Sequence, residues 1–175
     1  MKFDIERIEV VDPSTRAQLC ETLTEAVASG GSISFMHPVS REKANAFWVK
    51  TSESVERGER ILLVARDDQG VVIGTVQSVI DLPENQLHRA DIAKMMVHPR
   101  ARRQGVAEAL MREIERLTFV AGKTLMVLDT ETDAAASHLY RKLGWSVCGH
   151  IPDFALKPHG GYCSTTYMFK RATGA

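Results

Sequence analysis

Three arginines stand close together just before a segment with helical periodicity. They are Arg100, Arg102 and Arg103, in the stretch HPRARRQGVA at 98–107. The start of a helix presents free backbone N–H groups and the positive end of the helix dipole, so it favours anions over further cations. Arginines at such a terminus, with Gly105 letting the backbone approach a ligand, are typical of a diphosphate site. The alternative interpretation is a solvated basic turn.

The spacing in this loop differs from the two common phosphate-binding motifs. The P-loop pattern GxxxxGK[ST] is absent, and a single glycine does not make the dinucleotide fingerprint. The chain has 22 Lys and Arg against 22 Asp and Glu, so no global field attracts it to DNA or to a membrane surface. The loop therefore predicts a local anionic ligand, and we expect neither nucleic acid nor membrane as a partner.

A strand before the loop and a helix after it must position these arginines. Pro99 ends the strand, and apolar residues at helical spacing follow the loop. The order of strands and helices along the chain is typical of a mixed α/β sheet with helices on both faces. The predicted elements are strands at 3–11, 88–97, 124–130, 145–151 and 164–170, a hairpin at 60–80, and helices at 14–29, 41–57, 104–121 and 133–143.

Composition predicts one domain spanning residues 1–175, in the cytoplasm. The chain is 44% hydrophobic and 25% charged, which are ordinary globular values. No apolar run is long enough to cross a bilayer, and the acidic start argues against a signal peptide. Cys20, Cys148 and Cys163 form neither a CxxC pair nor an even framework, so we expect reduced thiols. The six histidines lack HxxxH and HExxH spacing, so no metal site is expected.

Three segments together resemble the GNAT N-acetyltransferase superfamily. RRQGVA at 102–107 fits the pattern Q/R-x-x-G-x-G/A and is similar to that family's acetyl-CoA pyrophosphate loop. KMMVHP at 94–99 resembles the strand before that loop, and ASHLYRKLGW at 136–145 resembles the late helix A-x-x-L-Y-x-K-x-G-F. Within the superfamily, SISFM, HRADIAKMMV, LMVLDTE and STTYMFK, in this order, are similar to acetyltransferases of the tabtoxin-resistance type.

The resemblance implies a fold and a cofactor site. The fold would be a mixed, mostly antiparallel seven-stranded sheet with helices on both faces, which splays between the fourth and fifth strands. The backbone of a bulged fourth strand would contact the pantetheine arm and the thioester carbonyl of acetyl-CoA through Met95, Met96 and Val97, although one of the two methionines could serve as core. The residues that would hold the diphosphate are Arg102, Arg103, Gln104, Gly105, Val106 and Ala107.

One position departs from the family pattern. Family members often carry an asparagine that contacts the pantetheine arm, seven residues before the tyrosine of the late helix, and here that position is Asp133. Ser137 or Thr132 could supply the contact instead. We therefore include Asp133 and Ser137 among the candidate cofactor-binding residues.

Two carboxylates lie in strands that ought to be apolar, and both are candidate proton acceptors. An attacking amine must be neutral, so the enzyme needs a base. Asp91 lies eleven residues before Arg102, near the offset at which several family members place an acidic residue, and it is the first candidate. Asp129 ends the next strand and is the second; either could instead hold the substrate's ammonium group. The alternative is that they are strand-end residues paired with Arg89 or Lys94.

Tyr140 stands where the family has a tyrosine acid, and the resemblance implies that it protonates the leaving thiolate of coenzyme A; the alternative is a core aromatic. Its ordinary pKa near 10 suits a thiolate leaving group. No cysteine has a nearby histidine and acid in a recognisable arrangement, so we expect direct transfer in a ternary complex. Tyr140 is also a candidate cofactor contact.

The acceptor is predicted to be the primary amine of a small molecule, with an amino-acid-like toxin or antibiotic as one class. Candidate acceptor-binding residues besides Asp91 and Asp129 are Phe35, Met36 and His37, in a loop that shapes the acceptor pocket in relatives, and Asp153. Phe35 and Met36 could equally be core residues. A protein lysine or N-terminus as the acceptor, or a regulator that binds coenzyme A without turnover, are the alternatives. We expect a monomer or homodimer.

Overall fold

The structure, a computed structural model, describes residues 2–172 and contains seven strands and four α-helices. Short 3₁₀ turns at Glu84–Gln86 and Pro99–Ala101 flank the fourth strand. The elements are β1 (Phe3–Ile8), α1 (Pro13–Ala28), α2 (Arg41–Glu56), β2 (Arg60–Asp67), β3 (Val72–Val79), β4 (Arg89–Val97), α3 (Val106–Val120), β5 (Leu125–Glu131), α4 (Ala135–Lys142), β6 (Ser146–Leu156) and β7 (Tyr162–Arg171).

The strands form one seven-stranded sheet in the order β1-β2-β3-β4-β5-β7-β6. Every neighbouring pair is antiparallel except β4 and β5, which are parallel. Successive side chains of β2 point to opposite faces of the sheet: Ile61 and Leu63 pack in one hydrophobic core, and Leu62 and Val64 pack in the other. Both faces of the sheet are therefore covered by helices. The predicted mixed sheet with helices on both faces is confirmed.

The sheet opens between β4 and β5. These strands share three register pairs, which end at Asp91 opposite Val127, and beyond that point they diverge. Parallel strands that part leave both inner edges without ladder partners, so their backbone groups are available to a ligand. The splay is therefore where the family resemblance implied it.

Helices α1 and α2 cover one face and α3 and α4 the other. Asp12 caps α1, since its carboxylate accepts hydrogen bonds from the backbone N–H groups of Ser14 at 2.8 Å and Thr15 at 3.1 Å. Ser40 caps α2 in the same way through Lys43 N–H. The caps explain why both helices begin within a residue of their predicted starts.

Element ends differ from prediction in several places, among them β1, which ends at Ile8 rather than 11, and β7, which begins at Tyr162 rather than 164. The last helix begins at Ala135 rather than 133, because Asp133 has a φ of +61° that a helix does not allow. Helix α3 begins at Val106 rather than 104, because Gly105 adopts a left-handed φ of +83°. Strand β6 runs to Leu156, five residues beyond its predicted end, with an irregular register between Ile151 and Ala155.

Candidate active site

A cavity of about 970 Å³ lies where β4 and β5 diverge. Its walls come from the bulged half of β4, the ends of β5 and β6, the start of β7, the first turns of α3 and α4, and the loop after α1. Residues that carry its chemistry are Ser29, Lys94, Arg102, Arg103, Gly105, Asp129, Tyr140 and Thr165.

The three arginines of the loop at 98–107 do not form one cluster. Arg100 pairs with the carboxylate of Asp67 at 3.0 Å, and the Asp67 side chain is only 5% exposed. Burial would raise the pKa of Asp67, but the N–H of Val71 and the guanidinium of Arg100 lower it by more. Arg100 therefore serves the packing of the β2–β3 hairpin and does not line the cavity.

Arg102 and Arg103 do line the cavity. Arg102 Nη2 donates to Ser29 Oγ at 2.6 Å, which holds the guanidinium at the end of α1. Arg103 and Gly105 have φ values of +59° and +83°, so the loop turns sharply into α3. The first helical hydrogen bond of α3 runs from Ala109 N–H to Gly105 C=O, four residues earlier, at 3.0 Å. The backbone N–H groups of residues 106–108, in the first turn of the helix, therefore have no partner within the helix. This arrangement suits a diphosphate.

The other loop residues after Arg103 and besides Gly105 present no polar side chain to the cavity. Gln104 Nε2 donates to Arg100 C=O at 3.2 Å, so the Gln104 side chain closes the turn rather than facing the cavity. Val106 is 1% exposed and its side chain packs in the core beside α3. Ala107 follows it in the cavity wall.

Strand β4 carries a bulge in its cavity half. Thr75 and Gln77 on β3 face Met96 and Ala93, so β4 has one more residue than β3 over this stretch. Lys94 within it has a φ of +53°. Met96 is 3% exposed and packs in the core beside α1, whereas Met95 is only partly buried. One methionine of the pair thus serves as core.

Asp129 and Tyr140 lie in the same cavity wall, on β5 and α4. Asp129 Oδ2 accepts a hydrogen bond from Thr165 Oγ1 at 2.9 Å, which fixes the carboxylate. Tyr140 is 5% exposed, and its ring centroid lies 6.1 Å from that of Trp145. Burial, and secondarily the negative charge of Asp129, raise the pKa of Tyr140 well above its ordinary value.

Asp91 does not reach the cavity. Its carboxylate pairs with the guanidinium of Arg89, on the half of β4 that still pairs with β5. The β4 wall of the cavity begins one residue later, at Ile92. Asp91 therefore forms the strand-end ion pair that was the alternative to its role as a base. Asp129 is the carboxylate that lines the cavity together with Tyr140.

None of the three side chains considered for the pantetheine contact of the family's asparagine, which are Asp133, Ser137 and Thr132, lines the cavity. Asp133 is exposed, occupies the turn before α4 and does not line the cavity. Ser137 is 1% exposed, and within residues 2–172 its hydroxyl has no hydrogen-bond partner. Thr132 Oγ1 instead pairs with Thr166 Oγ1 at 3.0 Å.

The predicted acceptor loop lies beside the cavity rather than in its wall. Phe35 packs edge-on against Phe47 with centroids 5.4 Å apart, and Met36 is 40% exposed. The His37 ring lies 4.7 Å from that of His159, so the loop contacts the β6–β7 turn. The loop residues that line the cavity come just before Phe35; they include Ile33 and Ser34.

Asp153 is exposed, has a φ of +50°, and is also outside the cavity wall. Its neighbours Phe154, Ala155 and Leu156 form that wall instead. The irregular register between Ile151 and Ala155 is the reason, because it changes which residues of β6 face inward.

Lys94 and Thr165 are cavity residues that sequence reasoning did not select for the site. A lysine inside a strand that is otherwise apolar was the available signal for Lys94. No local pattern marks Thr165, since only the pairing of β7 with β5 brings it to Asp129. Within residues 2–172, no group of three or more His, Cys, Asp or Glu side chains could hold a metal ion. In the same range, no helix is long and apolar enough to span a membrane.

Comparisons with known proteins agree with this fold. The Acetyltransferase (GNAT) domain profile matches residues 58–147. An uncharacterized N-acetyltransferase in the hisH-hisA intergenic region of Azospirillum brasilense is 32% identical over 127 residues, which are 71% of this chain and 73% of that protein. The chain therefore belongs to the GNAT acetyltransferase family, and it is an acyltransferase enzyme.

Two solved structures have the same fold. The Salmonella typhimurium protein yncA, whose structure includes its cofactor acetyl-CoA, superposes with a TM-score of 0.80 at 22% identity, over 99% of this chain and 95% of that chain. A phosphinothricin acetyltransferase of Sinorhizobium meliloti in complex with acetyl-CoA gives a TM-score of 0.78 at 21% identity, over 100% and 96%. The family resemblance is confirmed; the tabtoxin-resistance likeness stays a prediction.

Proposed function

We propose that this enzyme moves the acetyl group of acetyl-CoA to the primary amine of a small molecule by direct transfer in a ternary complex. The observation that carries the proposal is that one cavity contains an anion-binding corner at Arg102, Arg103 and Gly105 and, in another wall, Asp129 and Tyr140. The relatives solved with acetyl-CoA support the choice of donor.

The residues present fit acetyl-CoA as the donor. The free amides at the start of α3 and the two arginines suit its diphosphate, and the bulged edge of β4 offers backbone groups to its arm. Ser137 is buried without a hydrogen-bond partner but does not line the cavity, so no contact with the arm is proposed for its side chain. Bound acetyl-CoA would supply the activated acetyl thioester, which an amine attacks.

Asp129 replaces Asp91 as the proposed proton acceptor, because Asp129 lines the cavity and Asp91 does not. Asp129 takes a proton from the amine as the new C–N bond forms. N–H groups of β4 stabilise the oxyanion that develops on the carbonyl. Tyr140, which its raised pKa keeps protonated, donates a proton to the departing thiolate as the C–S bond breaks.

The proposed setting is the cytoplasm. Cys20, Cys148 and Cys163 are all unpaired, which suits a reducing compartment. Cys163 lines the cavity, but no histidine is among the described residues that line it, so the acetyl group is proposed to pass directly to the amine.

The test is thiol release from acetyl-CoA, screened over amino acids, polyamines, aminoglycosides and peptides. We expect turnover with small amines and initial-rate patterns that intersect, as a ternary complex requires. Parallel patterns with an acetylated enzyme intermediate would overturn direct transfer. Turnover with peptides alone would support the protein acceptor instead, and binding of coenzyme A without any turnover would support a regulator.

A further inference from the structure

Lys94 is a cation that the bulge of β4 presents to the cavity. Its φ of +53° is uncommon for a residue other than glycine. Bulges of this kind reorient a side chain away from the regular alternation of the strand. The result is a half-buried lysine that lines the same cavity as Asp129.

The contacts of Lys94 leave its charge unneutralised. Nζ donates to Ile33 C=O at 3.0 Å and to Ser34 Oγ at 2.9 Å, and both are neutral acceptors. The rings of Phe35 and Phe47 lie with their centroids 5.8 Å from Nζ. An ammonium has three N–H donors, so within residues 2–172 one remains for a ligand.

Charges of both signs lie near Lys94. Burial lowers the pKa of Lys94, the carboxylate of Asp129 acts in the opposite direction, and Arg60 adds a second positive charge nearby. Arg60 itself is held by Ser54 Oγ and Gln77 Oε1. One cavity therefore holds a fixed carboxylate and an available ammonium, which is complementary to a zwitterion.

We propose that Lys94 binds the carboxylate of the acceptor, so that the enzyme selects amino acids and amino-acid-like compounds over amines without a carboxylate. The acceptor's amine would lie toward Asp129 and its carboxylate on Lys94 Nζ. The inference rests on the proposed function, because it needs Asp129 to face the acceptor amine.

The test compares each of a series of amino acids with its own carboxamide as the acceptor. For the wild-type enzyme we expect kcat/KM to be about tenfold or more higher for the acid, the effect of one charged hydrogen bond. Lys94→Met should abolish this ratio, mainly through a higher KM for the acid, and Lys94→Arg should retain part of it. Lys43→Met is the matched control, since exposed Lys43 also lies over Phe35, at 5.7 Å, and should not change the ratio.

Three outcomes would overturn the inference. The first is a wild-type preference for carboxamides. The second is an equal loss with acid and carboxamide in Lys94→Met, which would mean that Lys94 only holds the loop at Ile33 and Ser34. The third is turnover confined to amines such as polyamines, which would leave the proposed function intact. Absence of turnover with every small amine would instead refute the proposed function, and the selection with it.

Discussion

At the scale of single residues, the site depends on which of two similar carboxylates faces the cavity. Asp91 and Asp129 both interrupt apolar strands, but Asp91 pairs with Arg89 while Asp129 accepts from Thr165 beside the cavity. Tyr140 is the proposed proton donor, and this role requires a hydroxyl that is protonated before the thiolate leaves. Burial of the ring and the charge of Asp129 provide this by raising its pKa.

The two carboxylates give the first prediction. Asp129→Asn should lower kcat by about 100-fold, the usual contribution of a positioned base. Asp91→Asn is the matched control and should leave kcat nearly unchanged, because its partner is Arg89 outside the cavity. Steady-state thiol release measures both. A larger loss of kcat in Asp91→Asn than in Asp129→Asn would indicate that Asp91 is the base.

Tyr140 gives the second prediction. Tyr140→Phe should lower kcat by about 100-fold while the Kd for coenzyme A, measured by calorimetry, is unchanged. Because the pKa of Tyr140 is raised, its hydroxyl stays protonated in alkaline solution. The wild-type rate should therefore not fall from about pH 8 to about pH 10, where an ordinary tyrosine begins to ionise. Equal losses of kcat and affinity would indicate a packing role.

At the scale of elements, the loop at 98–107 separates two functions that its sequence presents together. Arg100 faces the β2–β3 hairpin through Asp67, while Arg102 faces the cavity and is held by Ser29. The left-handed φ of Gly105 makes the change of direction possible before α3 begins. A loop of like charges is thus tolerated, because one of its arginines already has a carboxylate partner.

This division gives the third prediction. Arg102→Ala should weaken coenzyme A binding by about tenfold or more while the melting temperature changes little. Arg100→Ala should lower the melting temperature, since buried Asp67 loses its cation, and should leave the Kd unchanged. Calorimetry and thermal denaturation of both variants test the pair. An unchanged Kd in Arg102→Ala would count against the loop as the diphosphate site.

At the scale of the whole molecule, the splay that creates the cavity also weakens the sheet. Since β4 and β5 share three register pairs, other contacts must join the two halves. Glu115 on α3 makes one such junction. It is 7% exposed, and it accepts hydrogen bonds from Trp145 Nε1 and Lys170 Nζ, both at 2.6 Å.

The junction gives the fourth prediction. Glu115→Ala should lower the free energy of unfolding by about 2 to 4 kcal/mol, because it removes the carboxylate partner of the partly buried Lys170 and leaves the buried indole N–H of Trp145 without its acceptor. Glu113→Ala, on the same helix, removes a pair with exposed Arg116 and should cause only a small fraction of that loss. Urea denaturation measures both variants. Equal effects would show that the junction does not hold the halves together.

Local signals explain how much of the fold followed from the sequence. Some signals act over only a few residues, such as the caps at Asp12 and Ser40, the hairpin turn and the apolar stripe of α3. The sequence therefore predicts all seven strands and four helices near their observed positions. The point where β4 and β5 diverge and the irregular register of β6 depend on partner strands, so the sequence does not indicate that Asp91 and Asp153 lie outside the cavity.

The sequence by itself determined the order of elements, the family and the loop that turns into α3, because each depends on residues adjacent in the chain. Only the tertiary structure decided that Asp129 rather than Asp91 faces the cavity, that Arg100 is a structural cation, and that Lys94 lies in the cavity wall. The physical reason is that these outcomes depend on strand pairing, divergence and ion pairs between residues far apart in sequence, and no local pattern records them.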